Sequence, residues 1–401
     1  MSTATAVRFR DLLSQRASIG PAARLASGVQ TPLYDFSGGR PDPAGYPYAA
    51  LIEATARVME AEGADALTYG DPLGYANLRD LVCQKYRLYE GLDVRRDNII
   101  VANGSGHALS LAISTFVDVG DALICEAPTF GGTLNAIRRH GADILDVPVD
   151  DDGIDTGAVQ RRLEALAREG RRCKLIYTQV NFHNPAGPTM SLRRRKRLIE
   201  LAQAHETLIL EDDAYGDLRF EGDPLPSLYA LDDGACVIRA GTLSKILGPG
   251  VRLGWLCAPE PMIPFLQGFN FSGGVSPFAS RIAVYFLRNH MTEHVAMLRD
   301  LYRSKRDAML RGLAALVQET DATVSRPEGG FFLWLKLPAG TDCPKLAQLA
   351  EAASVRYVPG AVCYPNGGGD EYIRLAFSYE PAERCEAGAG LLAAAIRAAR
   401  A

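Results

Sequence analysis

The chain predicts an α/β protein built on a mainly parallel sheet, followed by a smaller α+β domain. Three observations carry that expectation. Seven short apolar runs alternate with amphipathic helical stretches, the pattern of βαβ units whose sheet is covered on both faces. At 401 residues the chain exceeds what one simple core accommodates, so a large domain plus a smaller one is expected. After a long helical stretch near residues 275–317, the pattern changes to short strands around Phe331 to Leu335 and Tyr372 to Leu375.

The seven runs are Ile99 to Ala102, Leu123 to Cys125, Ile144 to Val147, Leu175 to Thr178, Leu208 to Leu210, Val237 to Ala240 and Leu253 to Cys257. Being apolar throughout, they read as strands buried on both faces. Several of them run directly into residues that carry chemistry. The first leads through Asn103-Gly104-Ser105-Gly106-His107 into an apolar helical pattern ending near Phe116. Glycines before a helix expose backbone N–H groups at the positive end of its dipole, which makes a phosphate site. The fourth leads into Asn181-Phe182-His183-Asn184-Pro185-Ala186-Gly187, a turn signal that places polar groups just past a strand end. The last ends at a break, Pro259-Glu260-Pro261.

The fifth strand delivers Glu211-Asp212-Asp213-Ala214-Tyr215 to the carboxyl edge of the sheet, where open α/β sheets bind ligands. The sixth runs into Gly241-Thr242-Leu243-Ser244-Lys245, with Arg252 seven positions beyond the lysine. A partly desolvated lysine loses pKa and becomes a nucleophilic amine near neutral pH, able to form an imine with an aldehyde. Arg252, Thr242 and Ser244 offer charge-assisted bonds to a phosphate. Imine-forming lysine plus phosphate anchor points to pyridoxal 5'-phosphate. A carboxylate facing the pyridine nitrogen keeps that ring protonated and electron-accepting, a role we assign to Asp212. Tyr215 and Asn184 are placed to bond the cofactor phenolate oxygen. At least one of the three consecutive acids is expected only to cap the next turn.

In this order the motifs resemble the class I and II aminotransferases, fold type I of the pyridoxal-phosphate enzymes, nearest the branch of 2-aminoadipate and kynurenine aminotransferases. The resemblance covers about residues 35 to 395 and rests on Ser37-Gly38-Gly39, Tyr69-Gly70 with Gly74 and Leu78-Arg79, Gly104-Ser105-Gly106-His107 and Pro128-Thr129-Phe130. It continues through Asn184-Pro185-Ala186-Gly187, Asp212 with Tyr215, Lys245 with Arg252, Gly329-Gly330-Phe331-Phe332, and Ile373 to Ser378. It implies a large cofactor-binding domain over residues 55–285 with a seven-stranded sheet, and a discontinuous small domain from residues 1–54 and 286–401.

The same resemblance implies roles. Lys245 carries the cofactor and shuttles a proton. Phe130 stacks on the ring, and Ser105, Gly106, His107, Thr242, Ser244 and Arg252 surround the phosphate. Tyr69 reaches the phosphate of a second subunit, making the protein a homodimer with shared active sites. Arg374 clamps the substrate α-carboxylate, with Asn184 beside it, and Gly39 and Arg40 line the substrate pocket. The implied reaction moves an amino group between an L-amino acid and a 2-oxo acid. Elimination or replacement, decarboxylation, oxidation and carbon–carbon bond formation stay open as outcomes on the same scaffold.

Three positions depart from the family pattern: Asn181 where proline is common, His107 where glutamine is, and Ala186 where threonine is. His107 is expected to act through its backbone N–H alone. Asn181 and His183 flank Asn184 and are candidates for shaping substrate or reaction. Arg40 is a candidate for a distal carboxylate, against a plain interdomain arginine.

With 43 basic against 47 acidic residues, the net charge of −4 shows no global attraction to nucleic acid or anionic membrane. Eight cysteines lie scattered at 83, 125, 173, 236, 257, 343, 363 and 385 without a Cys-x-x-Cys pair, which favours reduced thiols and a cytoplasmic setting. No apolar run reaches membrane-span length. The first ten residues are expected to form a mobile arm leading into a short helix. Aminotransferase-like regulators carry an N-terminal DNA-binding module, for which the roughly 35 residues ahead of the first motif are too few. Arg193-Arg194-Arg195-Lys196-Arg197 reads as a solvated helix face, and His290 with His294 has metal-ligand spacing but Met291 where a zinc protease needs glutamate. Asn366-Gly367-Gly368-Gly369-Asp370 lacks the following Lys-Ser/Thr of a nucleotide cradle.

Overall fold

The computed structural model describes residues 9–14, 17, 32–270 and 274–400. The expected N-terminal arm therefore lies largely outside the described residues, which begin with a 3-10 turn, Phe9–Leu12. All seven expected strands form. In chain order the strands are β1 Tyr34–Asp35, β2 Ile99–Ala102, β3 Ala122–Ala127, β4 Asp143–Asp150, β5 Gly153–Ile154, β6 Cys173–Gln179 and β7 Leu208–Asp213. Then come β8 Val237–Thr242, β9 Gly254–Cys257, β10 Thr323–Val324, β11 Phe332–Lys336, β12 Val355–Arg356, β13 Val358–Pro359 and β14 Tyr372–Ala376.

The main sheet has the order β2-β9-β8-β7-β6-β3-β4-β5. Its eighth strand is the two-residue β5, a hairpin return that pairs antiparallel with β4. Apart from β5, only β9 opposes its neighbours. Strand alternation sends Leu123, Cys125, Leu175, Tyr177, Leu210 and Ile238 to one buried cluster. Ile124, Ile176, Ile209 and Val237 go to another on the opposite face. Burying both faces is why the runs contain so few polar residues.

Register fixes the functional edge. Gln179 of β6 stands opposite Asp212 of β7, Asp213 opposite Gly241 of β8, and Thr242 opposite Gly254 of β9. Gly254 is also paired with Ala102 at the end of β2. Five strand ends thus meet at one rim. A Cβ on Gly254 would lie 2.6 Å from the carbonyl carbon of Gly104 and 2.8 Å from the amide nitrogen of Ser105, so only glycine permits this approach. Gly104 itself takes a φ of 80°.

The smaller sheet has the order β10-β11-β14-β13, antiparallel throughout. Beside it lies the 43-residue helix Pro277–Glu319. β1 pairs in parallel with β12, tying Tyr34–Asp35 to the C-terminal third of the chain.

Candidate active site

Lys245 follows β8 in a turn held by its own hydroxyls. Ser244 N–H donates to Thr242 Oγ1 at 3.1 Å, and Thr242 Oγ1 donates to Ser244 Oγ at 2.9 Å. The Lys245 ammonium donates to the carbonyl of Gly39 at 3.1 Å and lies 5.3 Å from the Tyr215 ring centre and 5.5 Å from that of Phe331. Burial lowers its pKa to about 8, Asp212 opposing the shift and Arg374 reinforcing it.

Asp212 ends β7. Its Oδ2 accepts a 2.8 Å bond from the Tyr177 hydroxyl, which also lies 3.3 Å from Thr133 Oγ1. Its Oδ1 is buried with no hydrogen-bond partner. Burial raises the Asp212 pKa to about 7; the neighbouring carboxylates Asp213 and Glu126 add to the rise, while Tyr177 and Lys245 oppose it. A lone carboxylate oxygen in this condition is costly unless a donor arrives, and a pyridine N–H is such a donor. The residues present therefore fit pyridoxal phosphate.

The three consecutive acids divide their work. Glu211 caps the short helix Leu228–Leu231, accepting from the backbone of Leu228 and Tyr229 at 3.0 Å each. Asp213 pairs with Arg239 at 2.5 Å; despite burial, Arg239 and the Asn181 amide hold its pKa down near 2. Asp212 alone keeps an unused oxygen.

Asn184 lies on the turn after β6. Gln179 grips its backbone twice, Asn184 N–H donating to Gln179 Oε1 at 3.2 Å and Gln179 Nε2 donating to the Asn184 carbonyl at 3.1 Å. Its side-chain Oδ1 accepts from Arg374 Nη1 at 3.0 Å, leaving Nδ2 as a donor. Arg374, from β14, also donates from Nη2 to the Ser37 carbonyl at 2.7 Å and stacks 4.5 Å from the Phe332 ring centre. Its Nε is buried without a partner. Tyr215 is buried against Phe331 and Phe332, and that burial raises its pKa.

At the opposite end, Gly104 precedes the helix Ser105–Phe116 with no side-chain cap on its first turn. Arg252 adjoins it, donating to the Asn103 carbonyl at 2.7 Å. The His107 ring is used locally: Nδ1 accepts from Asn103 N–H at 3.2 Å, and burial lowers its pKa with help from Arg252. Phe130, at the start of the helix Gly131–Arg139, is 38% exposed, and Tyr69 is 94% exposed.

Several expectations change. Asn181 does not face the site; it bridges Asp213 and Arg195, donating to the first and accepting from the second at 2.9 Å each. The basic run 193–197 is not wholly a solvated face. Arg195 is fully buried and also donates to the carbonyls of Met190 and Val180 around the turn after β6 and to that of Pro226 before the helix Leu228–Leu231. His294 is buried, and its Nε2 donates to the Ile246 carbonyl at 2.6 Å, bracing the Lys245 turn. Arg40 is half-exposed, paired with Asp35 at 2.8 Å and stacked 4.3 Å from the Tyr379 ring centre. Sequence reading missed Tyr177, whose only signal was a hydroxyl inside an apolar strand.

All eight cysteines are free thiols, six of them buried. No helix among the described residues is long and apolar enough to cross a membrane.

Residues 35–389 match the family model for aminotransferase class I and II. The chain is 34% identical over 365 residues to aromatic-amino-acid aminotransferase 1 of Thermococcus litoralis, covering 90% of this chain and 87% of the relative. It is 34% identical over 351 residues to a 2-aminoadipate transaminase of Thermus thermophilus, covering 86% and 85%. The crystal structure of a multiple substrate aminotransferase from Thermococcus profundus superposes with a TM-score of 0.90 at 31% identity, covering 98% and 99%. The lysine, the orphaned carboxylate oxygen and these likenesses agree that the chain belongs to the class I and II aminotransferases, enzymes that use pyridoxal phosphate to transfer amino groups.

Proposed function

We propose that Lys245, Asp212, Tyr215, Asn184 and Arg374 carry transamination between an L-amino acid and a 2-oxo acid. The observation that supports this most is the buried Asp212 Oδ1, left without a partner near a lysine whose pKa is depressed to about 8. Bound pyridoxal phosphate supplies an aldehyde and an electron-accepting ring. Asp212 Oδ1 would accept from the ring N–H and keep that nitrogen protonated. Lys245 Nζ would take the proton from the substrate Cα and pass it to the cofactor carbon that carried the aldehyde, so that the nitrogen stays behind when the 2-oxo acid leaves. Asn184 Nδ2 and the Tyr215 hydroxyl donate to the phenolate oxygen. Ser105, Gly106, His107, Thr242, Ser244 and Arg252 would bind the phosphate, and Phe130 would pack against the ring. Arg374 binds the α-carboxylate through its planar fork. A single turnover with a panel of amino acids tests the reading: one equivalent of 2-oxo acid should form without an acceptor, and continuous turnover would reject it. Arg374→Ala lowers kcat/KM by about 100-fold, the cost of losing a charge-assisted clamp, and this is read from steady-state kinetics.

The relatives' names span aromatic amino acids and 2-aminoadipate, so substrate choice rests on the side-chain pocket. Arg40 is already engaged by Asp35 and Tyr379, which supports a bracing role for it beside Gly39. Arg40→Ala is therefore expected to affect acidic and neutral amino acids equally, within about threefold. A loss confined to acidic substrates in the same kinetic comparison would instead put Arg40 on a distal carboxylate.

A homodimer with shared sites belongs to this proposal, supported by the exposure of Tyr69 together with Leu67 and Phe265. So does the division into a large domain, 55–285, and a small one from 1–54 and 286–401, supported by the pairing of β1 with β12. A cytoplasmic setting is supported by the free thiols.

A further inference from the structure

We propose that His183 is a positioning residue, which fixes Asn184 from the far side of the sheet by clamping its turn to Glu126. This rests on the reading that Asn184 bonds the cofactor phenolate oxygen.

The turn 181–187 straddles the end of β6. On the site's face, Gln179 holds the Asn184 backbone from both sides. Strand alternation puts Glu126 on the other face: Cys125 stands opposite Tyr177, whose face carries Asp212, so Glu126 and Thr178 point away. There Glu126 is fully buried and accepts from Thr178 Oγ1 at 2.5 Å and from Gln179 N–H at 3.1 Å. His183 Nε2 supplies a further bond at 3.0 Å.

The ring's tautomer is set by its second contact. Ala186 N–H donates to His183 Nδ1 at 3.2 Å, so Nδ1 is the bare nitrogen and Nε2 carries the proton given to Glu126. One neutral imidazole thus spans the turn: it satisfies a backbone donor two residues past Asn184 and anchors to a carboxylate that also grips Gln179. Both holds on Asn184 converge on Glu126. Releasing His183 frees the turn on one side, and the Asn184 amide loses its fixed direction.

Side-chain length separates the two bonds. Glutamine places a donor where Nε2 stands, and asparagine places an acceptor where Nδ1 stands. The measurement is the pH titration of the cofactor absorbance band in holoenzyme. Asn184→Ala is the control and moves the midpoint up by about half to one unit, the equivalent of one lost hydrogen bond. His183→Ala and His183→Asn move it in the same direction by a similar amount, and His183→Gln leaves it at the wild-type value. A midpoint unchanged in His183→Asn, or displaced equally in His183→Gln, overturns the clamp while the Asn184 control still shifts. An unshifted control sinks the site reading itself, and this proposal with it. Side-chain 15N spectra of the apoprotein give a second readout: they should show His183 protonated on Nε2, and an Nδ1–H tautomer would refute the assignment.

Discussion

Lys245→Ala lowers kcat/KM for transamination by about 10,000-fold or more, because one substitution removes both the proposed covalent anchor and the proposed base for the Cα proton. Borohydride reduction of holoenzyme followed by peptide mapping should place the label on Lys245 and find none in the variant. The lysine also sets a pH dependence. Its pKa falls to about 8 from an ordinary 10.5, since burial disfavours the ammonium more than Asp212 favours it. Only the neutral amine attacks an aldehyde, and at pH 7 about one tenth of the lysine is neutral. Binding of pyridoxal phosphate to apoenzyme should therefore accelerate about tenfold per pH unit below pH 8 and level off above it. An inflection near 10.5 in stopped-flow reconstitution would mean that the ammonium is solvated.

Asp212→Asn is expected to lower kcat by about 100- to 1,000-fold with a smaller change in KM, since the carboxylate acts on charge that develops during reaction. Asparagine retains an acceptor for the Tyr177 hydroxyl but no longer stabilises a protonated ring. The same substitution has an opposite effect on the empty protein. Asp212 has a folded pKa of about 7 against 3.8 for a free aspartate, so its cost to folding is absent below pH 4, builds as pH rises from about 4 to 7 and is fully present above 7. Asp212→Asn apoenzyme should thus melt at a higher temperature than wild type at pH 8, and the difference should vanish near pH 4. Calorimetry at the two pH values decides it. A variant less stable than wild type at pH 8 would show that Oδ1 is partnered after all.

What was legible in the sequence was whatever short-range pattern encodes. Apolar runs of strand length marked all seven principal strands, and β5 escaped because two residues carry no periodicity. The candidate site residues stood at strand ends, where an apolar run meets Asp212 or Lys245. The division of labour among Glu211, Asp212 and Asp213 was not legible, because three adjacent acids look alike until the fold supplies a helix end, an unpaired pocket and Arg239. Likewise, nothing local distinguishes Arg195 from its neighbours in a basic run; only the carbonyls that the folded chain gathers around it, those of Met190 and Val180 among them, do.

By itself the sequence determined the succession of strands along the chain and the family, and it marked out the candidate lysine and its candidate charged partners. Tertiary structure decided which partners meet. Arg374 reaches Asn184 across 190 residues, and Lys245 reaches Gly39 across 206. Such contacts join residues on separate sheets and turns far apart in the chain, and no nearest-neighbour pattern in a linear sequence records them.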